Sequence, residues 1–260
     1  MLAEQIRVHD GFGTGTNIPP RKISVYLPPG YGDDTERRYP VLYMHDGQNL
    51  FDASTAVNGV PWGADEAAQI AIREGHVEPL IIVGVDHAGV GRIDEYTPVK
   101  TETGRMKGHG GGADKYGQMI ITELKPFIDA EYRTKPEREF TGMGGSSLGG
   151  LVTMHLGLRH PEVFSRLAVI SPSAWWANNH IIREAAKLGE RIPLRIWLDI
   201  GKREGSKIKH QVRALKEMLL AHGWRNGEDF AYFEIPGATH EEGAWGARFG
   251  NVLAFLFPVI

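Results

Sequence analysis

Apolar positions along this chain recur with two periods. Pro40–Met44, Leu80–Val85, Leu167–Ile170, Leu194–Ile200 and Phe230–Ile235 are short, near-continuous apolar runs, the pattern of strands buried on both faces of a sheet. Gln5–Asp10 and Lys22–Leu27 also predict strands, the second alternating cleanly, and Arg138–Met143 predicts a short strand bounded by charged residues. Helical spacing appears between them. It covers Ala64–Ile72, with Asp65 and Glu66 suited to the first turn, and a stripe of Tyr116, Met119, Ile120, Leu124, Phe127 and Ile128 expected to bend at Pro126. Leu148, Leu151, Val152, His155, Leu156 and Leu158 form another helix. A short helix is expected near Ile181–Leu188, and one with Ile208, Val212, Leu215 and Leu219 runs from an N-cap at Ser206 to Gly223; a terminal helix reaches Phe257.

Strands alternate with helices from Pro40 onward. The expected architecture is therefore α/β, a mostly parallel central sheet of about eight strands with helices on both faces. Ligands then belong at the carboxyl ends of the strands. With no internal repeat or low-complexity linker, residues 1–260 read as one domain. Asp86–Asp114 has little periodicity and contains the Gly108–Gly112 run; a loop this long is usually functional or mobile.

Composition narrows the function. A net charge of −3 with scattered Lys and Arg gives no case for nucleic acid, and no apolar run reaches the length needed to span a membrane. The absence of cysteine removes disulfides and thiolate chemistry. Met1–Arg7 lacks the basic start and apolar core of a signal peptide, so a cytoplasmic protein is expected, although a trimmed secreted chain would read the same. Oligomeric state leaves no mark.

Between the Arg138–Met143 strand and the following helix lies Gly145-Ser146-Ser147-Leu148-Gly149. A serine on a sharp strand-to-helix turn needs small residues two positions away on each side, because side chains there would meet the next strand and the incoming helix. Such a turn projects its hydroxyl outward at a helix N-terminus. Ser147 is thus the candidate nucleophile. Ser146 competes but lacks the flanking glycine pair, and a dinucleotide fingerprint fails because position 147 is not glycine.

A nucleophilic serine needs a base and an orienting carboxylate, which on such a sheet follow in the order serine, acid, histidine. His9, His45, His76, His87 and His109 precede Ser147; His155, His160, His210 and His222 sit on or beside helices. His240 alone lies in the loop after the final strand. Glu204 follows the Leu194–Ile200 strand and is the preferred acid; Asp199, near that strand's end, is the alternative. Oxyanion donors are expected from the backbone N–H of Leu148 and from the Asp46-Gly47-Gln48 turn, with Gln48 preferred and Asn49 next. His45-Asp46 and Asp86-His87 lack metal-ligand spacing, and the glycine run lacks the Lys-Ser/Thr of a phosphate loop. Trp62, Trp175, Trp176 and Trp245 fall in loops at the same end of the sheet and are candidate substrate contacts.

Tyr26-Leu27-Pro28-Pro29-Gly30-Tyr31, the run from Pro40 to Phe51, Gly145–Gly150 and Ser171-Pro172-Ser173 together resemble the Putative esterase family of α/β-hydrolases. That group holds enterochelin and other siderophore esterases, feruloyl and acetylxylan esterases, S-formylglutathione hydrolases and mycolyltransferases. The resemblance spans about Arg21 to Trp245. It implies an α/β-hydrolase fold and a serine esterase with neither metal nor cofactor, acting on a small-molecule or glycan-linked ester. By position it implies Ser147 as nucleophile, His240 as base, Leu148 and Gln48 as oxyanion donors, and Glu204 as acid through Gly201-Lys202-Arg203-Glu204. Arg92, in Arg92–Pro98, is similar to a substrate-side arginine of the siderophore-esterase branch. Acyl transfer to an alcohol, or a hydrolase scaffold kept for binding, are the competing functions.

Overall fold

The computed structural model describes residues 5–259; of the N-terminal stretch considered above, Met1–Glu4 lies outside the described residues. Eight strands form one sheet: β1 (Ile6–Phe12), β2 (Arg21–Tyr26), β3 (Val41–His45), β4 (Ile81–Val85), β5 (Thr141–Ser146), β6 (Arg166–Ile170), β7 (Arg195–Gly201) and β8 (Phe230–Ile235). Their spatial order is β1-β2-β4-β3-β5-β6-β7-β8. β2 runs antiparallel to both neighbours, while β3 to β8 are mutually parallel. Order and direction together define the α/β-hydrolase fold.

Side chains alternate between two cores. Val41 and Tyr43 join Val83, Met143, Leu167 and Ile196 on one face, under α3 (Ala113–Met119), α4 (Lys125–Glu131), α5 (Leu148–Arg159), α6 (Trp176–Ala185) and α7 (Ser206–Ala221). Leu42 and Met44 join Ile82, Ala168 and Trp197 on the other, under α1 (Ala64–Arg73) and α9 (Phe249–Leu256). Burial on both faces is why the parallel strands lack alternating polarity. Among the described residues no helix is long and apolar enough to cross a membrane.

Several elements differ in detail from their sequence expectation. Arg138–Phe140 is a 3-10 turn, and β5 starts at Thr141 and runs through the glycines to Ser146. A Cβ on Gly144 would lie 2.7 Å from Ala168 Cβ, so crowding strips this central strand of its apolar signature. The bend expected at Pro126 begins earlier, as a π turn over Ile120–Leu124. Pro126 lacks an N–H and its ring crowds the carbonyl four residues back, which widens that turn. Gly205 (φ 83°), not Ser206, is the N-cap of α7. The expected Ile181–Leu188 helix instead spans Trp176–Ala185, with Ala177, Asn178 and Asn179 left-handed. The Asp86–Asp114 loop is ordered by polar contacts that carry no periodicity. It contains α2 (Arg92–Glu95), tied to β2 by two hydrogen bonds from Arg21 to Glu95 of 2.9 and 3.0 Å.

Parallel register aligns the strand ends. Ser146 pairs with Ile170, Ile170 with Asp199, and Gly201 with Ile235. The loops after β5, β6, β7 and β8 therefore open side by side at one edge.

Candidate active site

Ser147 occupies the turn between β5 and α5 with φ 58° and ψ −119°. This region is nearly closed to residues with a Cβ, and such strain persists only where neighbours over-determine it. The neighbours do so. The Ser147 N–H donates to Ile170 O at 3.1 Å, and its carbonyl accepts from Ser173 N–H at 2.9 Å. A Cβ on Gly145 would come within 3.1 Å of the Gly149 backbone and of His45 Cβ, and one on Gly149 within 3.3 Å of His45 Cβ. The strand, the helix and the flanking residue meet too closely for side chains at either glycine.

The turn aims Ser147 Oγ at the loop after β8. His240 Nε2 accepts from it at 3.0 Å, and His240 Nδ1 donates to Glu204 Oε2 at 2.6 Å. The Glu204 side chain is fully buried. Its other oxygen accepts from Gly201 N–H at 2.8 Å and from Ser171 Oγ at 2.6 Å. These two donors hold the carboxylate and, through it, the imidazole. Trp245, on α8 (Glu242–Gly246), stands edge-on to the His240 ring at 4.9 Å and donates through Nε1 to Ser171 Oγ.

Asp199, the alternative acid, points elsewhere. It is fully buried and pairs with Arg248 through bonds of 2.9 and 2.8 Å, and accepts from Trp197 Nε1 at 2.7 Å. Arg248 Nη2 also reaches Ser171 Oγ at 3.0 Å. Ser171 therefore joins two buried carboxylates, one facing His240 and one facing Arg248.

Leu148 is the first residue of α5, where backbone N–H groups have no acceptor within the helix. Gln48 sits in the 3-10 turn Gly47–Asn49 after β3, the strand beside β5. Asp46 enters that turn in the left-handed region (φ 57°) and is clamped by Arg92, whose Nε and Nη2 donate to its carboxylate at 2.6 and 2.8 Å. Burial opposes the Arg92 charge, but the hydrogen bonds and charge of Asp46 outweigh it and raise its pKa. Arg92, a candidate substrate contact by resemblance, is thus engaged first with the turn. Asn49 is buried, with its side chain between Val57 N–H and Glu242. Beneath the elbow His45 bonds Tyr116 at 2.8 Å, and burial lowers its pKa to about 3. Burial raises Asp86, behind the Gly47 turn, to about 6.

The tryptophans divide. Trp62 and Trp176 are core residues, the first packed on Trp245 and Phe249, the second donating Nε1–H to Val99 O. Neither lines open space, because both loops fold their indoles inward to bury apolar area. Trp245 is also buried and touches His240. Trp175 is 40% exposed and remains available to a ligand.

Sequence reasoning did not single out Ser171 or Arg248. Ser171 belongs to the Ser-Pro-Ser segment after β6, a signal of position but not of role. Arg248 lies in the turn before Phe249–Leu256, where nothing in the sequence distinguishes a buried arginine from an exposed one.

The model of the Putative esterase family matches residues 18–256, and the chain belongs to that family. Ester hydrolysis is the chemistry this membership carries. The chain is 28% identical over 247 residues to the uncharacterized protein YbbA of Bacillus subtilis (strain 168), covering 91% of this chain and 92% of YbbA. It is 27% identical to the iron(III) salmochelin esterase of Escherichia coli O6:H1 over 82% of this chain but only 51% of that protein. The crystal structure of the BES protein from Bacillus cereus superposes with a TM-score of 0.78 at 23% identity, covering 100% of this chain and 97% of that one.

Proposed function

We propose that this protein is a serine esterase that hydrolyses carboxylic esters through an acyl-enzyme on Ser147. One observation carries the reading: the unbroken hydrogen-bond path from Ser147 Oγ through His240 to Glu204 Oε2, at 3.0 and 2.6 Å. In this scheme His240 Nε2 takes the hydroxyl proton as Ser147 Oγ attacks the ester carbonyl. Glu204 keeps the Nδ1 proton in place and stabilises the imidazolium that forms. The N–H groups of Leu148 and Gln48 receive the oxyanion, each donor being worth about 3 kcal/mol in such sites. Collapse breaks the ester C–O bond, and His240 returns its proton to the departing alcohol. A water, deprotonated by His240, then attacks the acyl-enzyme, releases the acid and restores Ser147.

Asp199 is read as a structural carboxylate, because Arg248 holds it away from His240. Arg92 is read as the clamp of the oxyanion turn, with its outer face toward substrate. Residues 1–260 are taken as one domain working in the cytoplasm. The substrate is a small-molecule or glycan-linked ester; the named relatives include a siderophore esterase and an endo-1,4-beta-xylanase/feruloyl esterase of Xylanibacter ruminicola. Ser147→Ala should abolish turnover of p-nitrophenyl acetate and labelling by a phosphonate while the circular dichroism and melting curve stay near wild type. Retained turnover would overturn the proposal.

A further inference from the structure

We propose that Ser173 is a further catalytic residue, whose hydroxyl donates a hydrogen bond to Ser147 Oγ and speeds release of the acyl group more than its uptake. The inference rests on the esterase reading of Ser147 and concerns the second half of that reaction.

The two hydroxyl oxygens lie 3.3 Å apart, and the rest of the site decides which of them donates. His240 Nδ1 donates to Glu204, so in the neutral ring Nε2 carries no proton and can only accept. Ser147 has one hydroxyl proton, and Nε2 takes its hydrogen bond at 3.0 Å. The contact with Ser173 is therefore made by the Ser173 proton, onto a lone pair of Ser147 Oγ. That leaves Ser147 Oγ one further lone pair, free to meet an ester carbon. Ser173 is not itself the nucleophile, because both His240 nitrogens are engaged elsewhere.

Ser173 is fixed where it stands. Its N–H donates to Ser147 O at 2.9 Å, and its carbonyl accepts from Trp176 N–H at 3.1 Å. The residue is 4% exposed, so water competes little for its hydroxyl. Among the described residues Ser147 is the one hydrogen-bond partner of its Oγ. At 3.3 Å the bond is longer than the about 2.7–2.8 Å usual between hydroxyls. It is weak at rest and can shorten when Ser147 Oγ gains charge.

That charge matters differently in the two halves of the reaction. In acylation Ser147 Oγ starts as a hydroxyl oxygen, already a good acceptor, and gives its proton to His240 as it bonds to the carbonyl carbon. The bond from Ser173 exists before and during this step, so it changes the barrier little. In the acyl-enzyme the same oxygen bridges an ester and accepts poorly. Deacylation breaks the bond between the acyl carbon and Oγ. The electron pair goes to Oγ, which takes the proton that His240 received from the attacking water. Ser173 donates more strongly as this charge develops, which lowers the second barrier. Its own proton stays in place throughout.

Rapid-quench mass spectrometry with p-nitrophenyl acetate, which separates the rate constants for acetylation and deacetylation of Ser147, tests this on wild type and Ser173→Ala. The deacetylation constant should fall about tenfold in the variant, the scale of one lost donor to a developing charge, while acetylation stays within about twofold. Acetyl-enzyme then accumulates further, and kcat/KM, which ends at acylation, holds. Phosphonate labelling of Ser147, a single attack by Oγ, should keep its wild-type rate. Ser173→Gly, which also lacks the hydroxyl, should match Ser173→Ala. Equal slowing of acetylation, deacetylation and labelling would make Ser173 a prop for the Ser147 turn, and unchanged constants would make the contact idle. Either result overturns the proposal and leaves the esterase reading intact. A wild type with neither acetyl-enzyme nor turnover would sink the esterase reading itself, and the proposal with it.

Discussion

Ser171 Oγ donates to Glu204 Oε1 at 2.6 Å while the other oxygen of the same carboxylate faces His240. The hydroxyl also accepts from Trp245 and Arg248, so one buried side chain links the carboxylate, the aromatic wall of His240 and the Arg248–Asp199 pair. Ser171→Ala removes a donor from Glu204 and strands two others. The expected result is a fall in kcat of about tenfold with little change in KM, and a loss of about 1–3 kcal/mol in stability. Steady-state kinetics and urea melts on the variant check both.

Arg248 is buried against Asp199, and the two differ sharply in what their loss should do. Arg248→Met leaves a buried carboxylate with its strongest partner gone, which costs about 3–5 kcal/mol. Adding Asp199→Asn removes the stranded charge, and the double variant should recover a measurable part of that loss. A double-mutant cycle by denaturant unfolding reports the coupling directly.

The clamp of Arg92 on Asp46 fixes a left-handed residue immediately before the Gly47–Asn49 turn. If Gln48 N–H serves the oxyanion, Arg92→Ala should lower kcat on a small acetate ester by about tenfold or more, the scale of a weakened donor. A rise in KM alone would instead assign Arg92 to ground-state substrate binding.

His45 is buried beneath the elbow and its pKa is lowered to about 3. The folded state thus binds this proton more weakly than the unfolded chain, whose imidazole titrates near about 6.5. The sign follows: stability is present above the unfolded pKa and is lost as pH falls toward 3. This single group should contribute a slope of about 1.4 kcal/mol per pH unit in that window. Between pH 6.5 and 5, before most carboxylates titrate, His45→Gln should show a shallower slope than wild type in urea melts at stepped pH.

The parallel strands, the order of strands and helices, and the turn at Ser147 could be read from residues because each follows from a periodic or chemical necessity. What escaped the sequence shares a cause. β5 lies three residues further along than its apolar pattern indicates, because its glycines answer to Ala168 and the neighbouring strands, not to a period. Trp62 and Trp176, candidate substrate contacts by sequence, are core residues, because residue type does not tell which way a loop turns its indole. The roles of Ser171, Asp46 and Arg248 rest on hydrogen bonds between residues 28 to 77 positions apart. No local pattern encodes those. Glu204 and Asp199 are five residues apart in sequence, and only the side-chain directions separate them.

Acid-quenching the enzyme during turnover of an activated acetate ester and mapping the peptides by mass spectrometry tests the acyl-enzyme most directly. The expected result is an acetyl group on Ser147, accumulating in wild type and further in His240→Ala after chemical acylation. Acetyl on Ser146 or Ser173, or full turnover by Ser147→Ala with no covalent adduct, would contradict it.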